Sequence, residues 1–136
     1  MILAVCIEER GGVLFNGRRL SRDWEQQENL LALCPGRLWM TPASSALFVG
    51  RESRIAVDAD CLNKAGEGEF CFWEAPWPEQ AADRVEGVVL YRWNRAYPSD
   101  VKFPMDWESR GFVLMERTEF AGTSHERITR EQYRKG

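Results

Sequence analysis

The chain has 136 residues, 44% of them hydrophobic, and its charged residues, 29% of the total, nearly cancel to a net charge of −3. That size suits one domain spanning residues 1–136, able to bury a core without disulfide or metal staples, and the charge balance excludes the strongly basic field of a non-specific nucleic-acid binder. The opening MILAVCIEER has no basic n-region, and its apolar run is far too short for a signal-peptide core or a membrane span, so no membrane partner is expected and the cytoplasm is the natural compartment.

Met1 to Ile7 is an apolar run without strict alternation, the pattern of a strand buried on both faces, and Gly11-Gly12 breaks it into a loop. Ser21 is a helix cap by residue type. The segment 22–34 behind it carries Asp23 and Glu25 near the positive end of the helix dipole and stops at Pro35-Gly36. Leu38-Trp39-Met40 reads as a second buried strand, and Pro42 with Ser44 and Ser45 opens a short helix ending near Gly50. This strand, helix, strand rhythm predicts a parallel sheet.

Arg54 to Asp58 and Glu69 to Glu74 are the next strand candidates, and DADCLNKAGEG between them offers a short helical turn before its glycines. Pro76 and Pro78 frame a small helix near Glu79 to Val85. Gly87 then resets the chain into Val88 to Asn94, rich in β-branched and aromatic residues. Phe112 to Glu119 and Glu126 to Tyr133, joined through Gly122-Thr123-Ser124, predict an antiparallel hairpin. The expected class is α/β: a mixed, mainly parallel sheet with flanking helices and a C-terminal antiparallel hairpin. Cys6, Cys34, Cys61 and Cys71 lie in apolar or strand-like segments with no CxxC spacing, which favours reduced, partly buried thiols.

Three segments resemble dihydrofolate reductase in order and spacing: NGRRLSRDWEQQENLL near the start, then LYRWNRAYPSDVKFP and SHERITREQYRKG at the end. The resemblance implies a dihydrofolate-reductase-like fold, with Asp23 at the family's pterin-binding carboxylate and Leu20 at the matching position three residues earlier. It further implies that Trp24, Phe48 and Trp93 flank a pterin-type cleft, whereas Trp39 and Trp73 read as buried strand residues. A carboxylate there could accept two parallel hydrogen bonds from a planar pterin- or nucleobase-like heterocycle. Such an anchor binds without reducing anything, and no catalytic residue is assigned.

The departures from the family lie on its nucleotide side. LWMTPASSALF keeps Met40 but has Thr41 where the family has glycine, and EFCFWEAPWPEQ puts Glu74-Ala75-Pro76 where paired glycines approach NADPH. A carboxylate would repel a pyrophosphate, and proline has no N–H to donate. Arg51 and Arg54 stand between Phe48 and Ile55, but no basic phosphate-reading loop does, and the chain is shorter than the usual enzyme. The expectation is a small-ligand binding protein, or an enzyme of altered chemistry, with no NADPH cofactor and with canonical reductase activity absent or very weak. The alternative is a non-catalytic interaction domain or homodimer in which the aromatics serve core or partner and Asp23 serves only the helix dipole.

Other chemistries find less support. His125 is the only histidine, so a binuclear metallo-hydrolase of the ribonuclease Z kind cannot be assembled, and no metal is expected. A Ser-His-Asp or Cys-His site would have to use His125, which falls in the predicted hairpin with no nucleophile-elbow motif nearby and reads as an edge-strand histidine. No Walker A loop is present. Arg92, Arg95, Arg127, Arg130 and Arg134 alternate with acidic neighbours, the pattern of a solvated strand face and not of a nucleic-acid site.

Overall fold

A computed structural model describes residues 1–136. Its strands are β1 (Ile2–Ile7), β2 (Gly12–Phe15), β3 (Arg18–Arg19), β4 (Leu38–Met40), β5 (Ile55–Val57), β6 (Phe70–Phe72), β7 (Gly87–Arg92), β8 (Val101–Lys102), β9 (Phe112–Phe120) and β10 (Ile128–Lys135). Its α-helices are α1 (Trp24–Leu33), α2 (Pro42–Ser45) and α3 (Cys61–Lys64), with 3-10 turns at Ala46–Phe48, Glu52–Arg54 and Glu79–Arg84. No helix is long and apolar enough to cross a membrane.

Seven strands form one sheet in the order β5-β4-β6-β1-β7-β10-β9. The first five are mutually parallel where they pair, and β10 turns antiparallel against both β7 and β9. The alternation along the central strands explains why both of their faces are apolar. Leu3, Val5 and Ile7 of β1 and Val88 and Leu90 of β7 point into one core with Cys61, Trp107 and Phe112. Ile2, Ala4, Val89 and Tyr91 point into the other with Leu30, Leu31, Phe48 and Phe72. Each face is thus covered, the condition under which parallel strands persist. The expected α/β class and terminal hairpin stand.

Several boundaries differ from expectation. The helix cap is Asp23 and not Ser21: the Asp23 side chain accepts from the Gln26 N–H, and α1 begins at Trp24. The segment 79–85 is a 3-10 turn, and the helix from Pro42 is one α-turn that tightens to 3-10 before Gly50. The loop expected after Gly11 holds β2 and β3, joined by Asn16-Gly17 with φ of 53° and 74°. Two successive positive φ values at Asn-Gly are the turn that suits the twist of a two-residue hairpin. With β8 this hairpin makes a second sheet, β3-β2-β8, which holds the Arg19–Ser21 segment beside the end of β6.

Candidate functional site

Two polar clusters lie at this end of the molecule. The first is built on Asp23, which is 1% exposed. Its Oδ1 accepts from the N–H groups of Gln26 (3.2 Å) and Thr123 (3.0 Å), and its Oδ2 from the N–H of Ser124 (2.7 Å) and from Nδ1 of His125 (3.0 Å). Burial pushes the carboxyl pKa up, but these donors outweigh it and hold the group below its usual value. Four donors fill the acceptor capacity of a carboxylate. Gly122 makes the turn fit, since a Cβ there would come 2.5 Å from Asp23 Oδ2 and 2.8 Å from the His125 carbonyl.

His125, 5% exposed, continues the cluster. Because Asp23 is ionised, Nδ1 carries the hydrogen, and a neutral ring leaves Nε2 as an acceptor. Nε2 lies 2.9 Å from the Tyr97 hydroxyl and 3.1 Å from Ser21 Oγ, and the two hydroxyls are 3.4 Å apart. The ring stacks on Trp93, with centroids 4.4 Å apart and planes 15° from parallel. On the outer side of this stack is an open groove of about 450 Å³, with Arg95 and Arg127 among its lining residues.

The second cluster lines an open groove of about 420 Å³ beyond β6, together with Leu14, Thr41 and Ala43. Arg19 grips Glu74 with both arms of its guanidinium, Nε to Oε2 at 2.8 Å and Nη2 to Oε1 at 2.9 Å, and Ser44 Oγ donates to Oε1 at 2.7 Å. Arg19 Nη2 also reaches the Ala43 carbonyl at 3.1 Å. Bidentate pairing of this kind is geometrically demanding and strong. Between the two clusters, among Cys6, Ser21, Trp73 and Trp93, the free volume is about 10 Å³, room for about one water.

The four residues expected around one cleft do not share one: Asp23 and Trp24 line a shallow depression of about 240 Å³ with Gln27 and Thr123, whereas Trp93 and Phe48 lie elsewhere. Asp23 and Trp93 meet, but through His125. Trp24 is 49% exposed on the outer face of α1, with the Arg51 guanidinium 3.8 Å over its ring. Phe48 is fully buried and packs edge-to-face on Phe72 at 5.9 Å. Sequence reasoning missed His125 as a partner of Asp23, Ser21 and Tyr97 as partners of His125, and Arg19 and Ser44 as partners of Glu74. No group of three or more His, Cys, Asp or Glu side chains is arranged to hold a metal ion.

A mainly parallel sheet with an antiparallel C-terminal hairpin, and an acid-capped first helix between β3 and β4, define the fold as dihydrofolate-reductase-like. Among solved structures, dihydrofolate reductase from Enterococcus faecalis, complexed with NADP(H) and RAB-propyl, superposes with a TM-score of 0.66 over 100% of this chain and 96% of that one, at 11% identity. The likeness therefore runs from end to end and is not confined to the terminal stretches that carry the sequence resemblance. No protein-family model and no curated protein matches the chain.

Proposed function

We propose that the chain is a dihydrofolate-reductase-fold protein that binds a small planar ligand and carries out no NADPH-dependent reduction. The observation that carries this reading is the bidentate Arg19–Glu74 pair, braced by Ser44. Hydride transfer needs the nicotinamide held against a substrate ring, and a cofactor lying in the groove of about 420 Å³ that this pair lines would meet the Glu74 carboxylate, with the Arg19 guanidinium already engaged by it. The ligand side of the reading rests on the groove of about 450 Å³, within the range of small-molecule sites. Trp93 and His125 border it but are only 3% and 5% exposed, so recognition falls to Arg95 and Arg127, which offer donors for a carbonyl or anionic edge, and to the Glu126 carboxylate between them. Asp23 serves this site by orienting His125, because its own acceptor positions are used internally.

Tryptophan fluorescence tests the proposal. Titration with pterin and guanine is expected to give a saturable change for at least one of them, and NADPH none in the micromolar range. Tight, saturable quenching by NADPH would overturn it.

A second reading, an interaction or homodimerisation domain, is favoured by the nearly filled space at Ser21 and by Val113, Leu114 and Met115, which are exposed on edge strand β9. Light scattering on the full chain distinguishes it: a concentration-dependent dimer with no response to either heterocycle supports this reading over the first.

A further inference from the structure

Ser21, His125 and Asp23 form one hydrogen-bonded line: Ser21 Oγ to His125 Nε2 at 3.1 Å, and His125 Nδ1 to Asp23 Oδ2 at 3.0 Å. We propose that this line is a hydrolytic site for small acyl esters, with Ser21 as nucleophile, His125 as its general base and Asp23 as the positioning residue. The proposal goes beyond ligand binding and does not depend on it.

The arrangement meets the requirements of an activated serine one by one. A serine hydroxyl is a weak nucleophile until a base is placed to take its proton. Here the base is a ring locked in place by stacking on Trp93 and by burial, with its tautomer fixed by a carboxylate that the N–H groups of Thr123, Ser124 and Gln26 also hold. Asp23 and His125 are buried, whereas Ser21 is partly exposed. The group that must meet a substrate is therefore the one within reach of solvent. Residues 21 and 23 flank the start of α1, and His125 arrives from the hairpin turn, so the geometry is assembled by tertiary folding and carries no local sequence motif.

In the reaction, Ser21 Oγ bonds to the ester carbonyl carbon as its proton passes to His125 Nε2. The tetrahedral oxyanion then collapses, the C–O bond to the alcohol breaks, and the alcohol leaves with the proton from Nε2. Water repeats the sequence on the acyl-serine, releasing the acid and restoring Ser21. Tyr97 supplies a donor for the oxyanion. Its hydroxyl lies 3.4 Å from Ser21 Oγ and shares the single Nε2 lone pair with Ser21, so when Ser21 donates to Nε2 the tyrosine proton is free to turn to the carbonyl oxygen. The space of about 10 Å³ on the inner side of Ser21 holds about one water and no acyl group, so the ester must approach Ser21 from its exposed side.

Two probes test the site on the full chain: a fluorophosphonate, read by intact mass and peptide mapping, and hydrolysis of 4-nitrophenyl acetate. The wild type is expected to take up one phosphonyl group on Ser21. Ser21→Ala removes one partly exposed hydroxyl, so it should keep the wild-type circular dichroism spectrum while losing the adduct and at least about 100-fold in ester turnover. His125→Asn should behave likewise. Tyr97→Phe should keep the adduct and lose about 100- to 1000-fold in turnover, the effect of removing one oxyanion donor. A wild type that takes no label at Ser21, or hydrolyses the ester no faster than folded Ser21→Ala, overturns the proposal and leaves the line as a structural hydrogen-bond cluster.

Discussion

Trp93 and His125 lie face to face, 4.4 Å between centroids and 15° from parallel, so the indole that sequence places on the wall of a ligand cleft is covered on one face by the chain's own imidazole. Aromatic stacking contributes about 0.5–1.5 kcal/mol beyond burial. Here it also fixes the plane in which Nδ1 meets Asp23 and Nε2 meets Ser21 and Tyr97.

Asp23→Asn is expected to cost stability first. The amide cannot accept at both ends, so one of the donors now on Oδ1 or Oδ2 faces an NH2 group. The loss is about 2–3 kcal/mol, the worth of hydrogen bonds to a buried charge, or roughly 10 °C in melting midpoint for a chain of this size. Differential scanning calorimetry checks it, and an unchanged midpoint would show that the three hydrogen bonds from Thr123, Ser124 and His125 do not hold the helix to the turn.

Acid should unfold the protein through the same group. Both Asp23 and Glu131 have folded pKa values held below the unfolded ones. At Asp23 the backbone and imidazole donors outweigh burial, and at Glu131 burial is outweighed by Arg117 and Arg92. A depressed carboxyl stabilises fully above its unfolded value, near 4, and loses that contribution as pH falls through the folded value. The urea midpoint should therefore be flat from about pH 6 to 7 and fall below about pH 4. The double variant Asp23→Asn, Glu131→Gln should start lower and fall less.

Phe48 and Trp24 should part company on truncation. Phe48→Ala empties a buried site against Phe72 and costs about 3–5 kcal/mol. Trp24→Ala removes an exposed ring and its Arg51 contact, worth about 0.5–1 kcal/mol. Chemical denaturation of the two variants measures both; comparable losses would contradict the burial difference.

Thiol chemistry offers an independent check on the core. Burial pushes the thiols of Cys6 and Cys34 up; the hydrogen bond between Cys71 and Cys61, 3.6 Å apart, pushes Cys71 up, with burial adding to it, and lowers the wholly buried Cys61. Protonated, buried thiols react slowly. Ellman's reagent at neutral pH should find all four thiols only after denaturation, without prior reduction, and rapid reaction of all four in the native protein would mean the core is open.

The legible part of the fold was the part governed by local pattern. Met1 to Ile7 and Val88 to Leu90 are apolar on both faces, and that alone places them at the centre of a covered sheet. Strands of two residues, Arg18–Arg19 and Val101–Lys102, carry no periodicity to read, although Asn16-Gly17 is a turn signal that points to the hairpin. At the site, the acidic residue at the start of α1 was legible, but its partners were not. His125 meets Asp23 across 102 positions and Glu74 meets Arg19 across 55, and no spacing rule connects residues that only the completed sheet brings together. His125 in particular sits in the turn ahead of β10 and is buried, where an edge strand would have exposed it.

The cap on α1 also has an order in time. Its first turn is tied to Thr123, Ser124 and His125, 100 to 102 residues downstream, and closing so long a loop is entropically costly before the contacts at its ends repay it. During refolding Asp23 therefore caps the Gln26 N–H locally but stands with its other acceptor positions in water until β9 and β10 have paired and swung the donors of the Gly122 turn onto it. The last hairpin to form is the one that finishes the first helix.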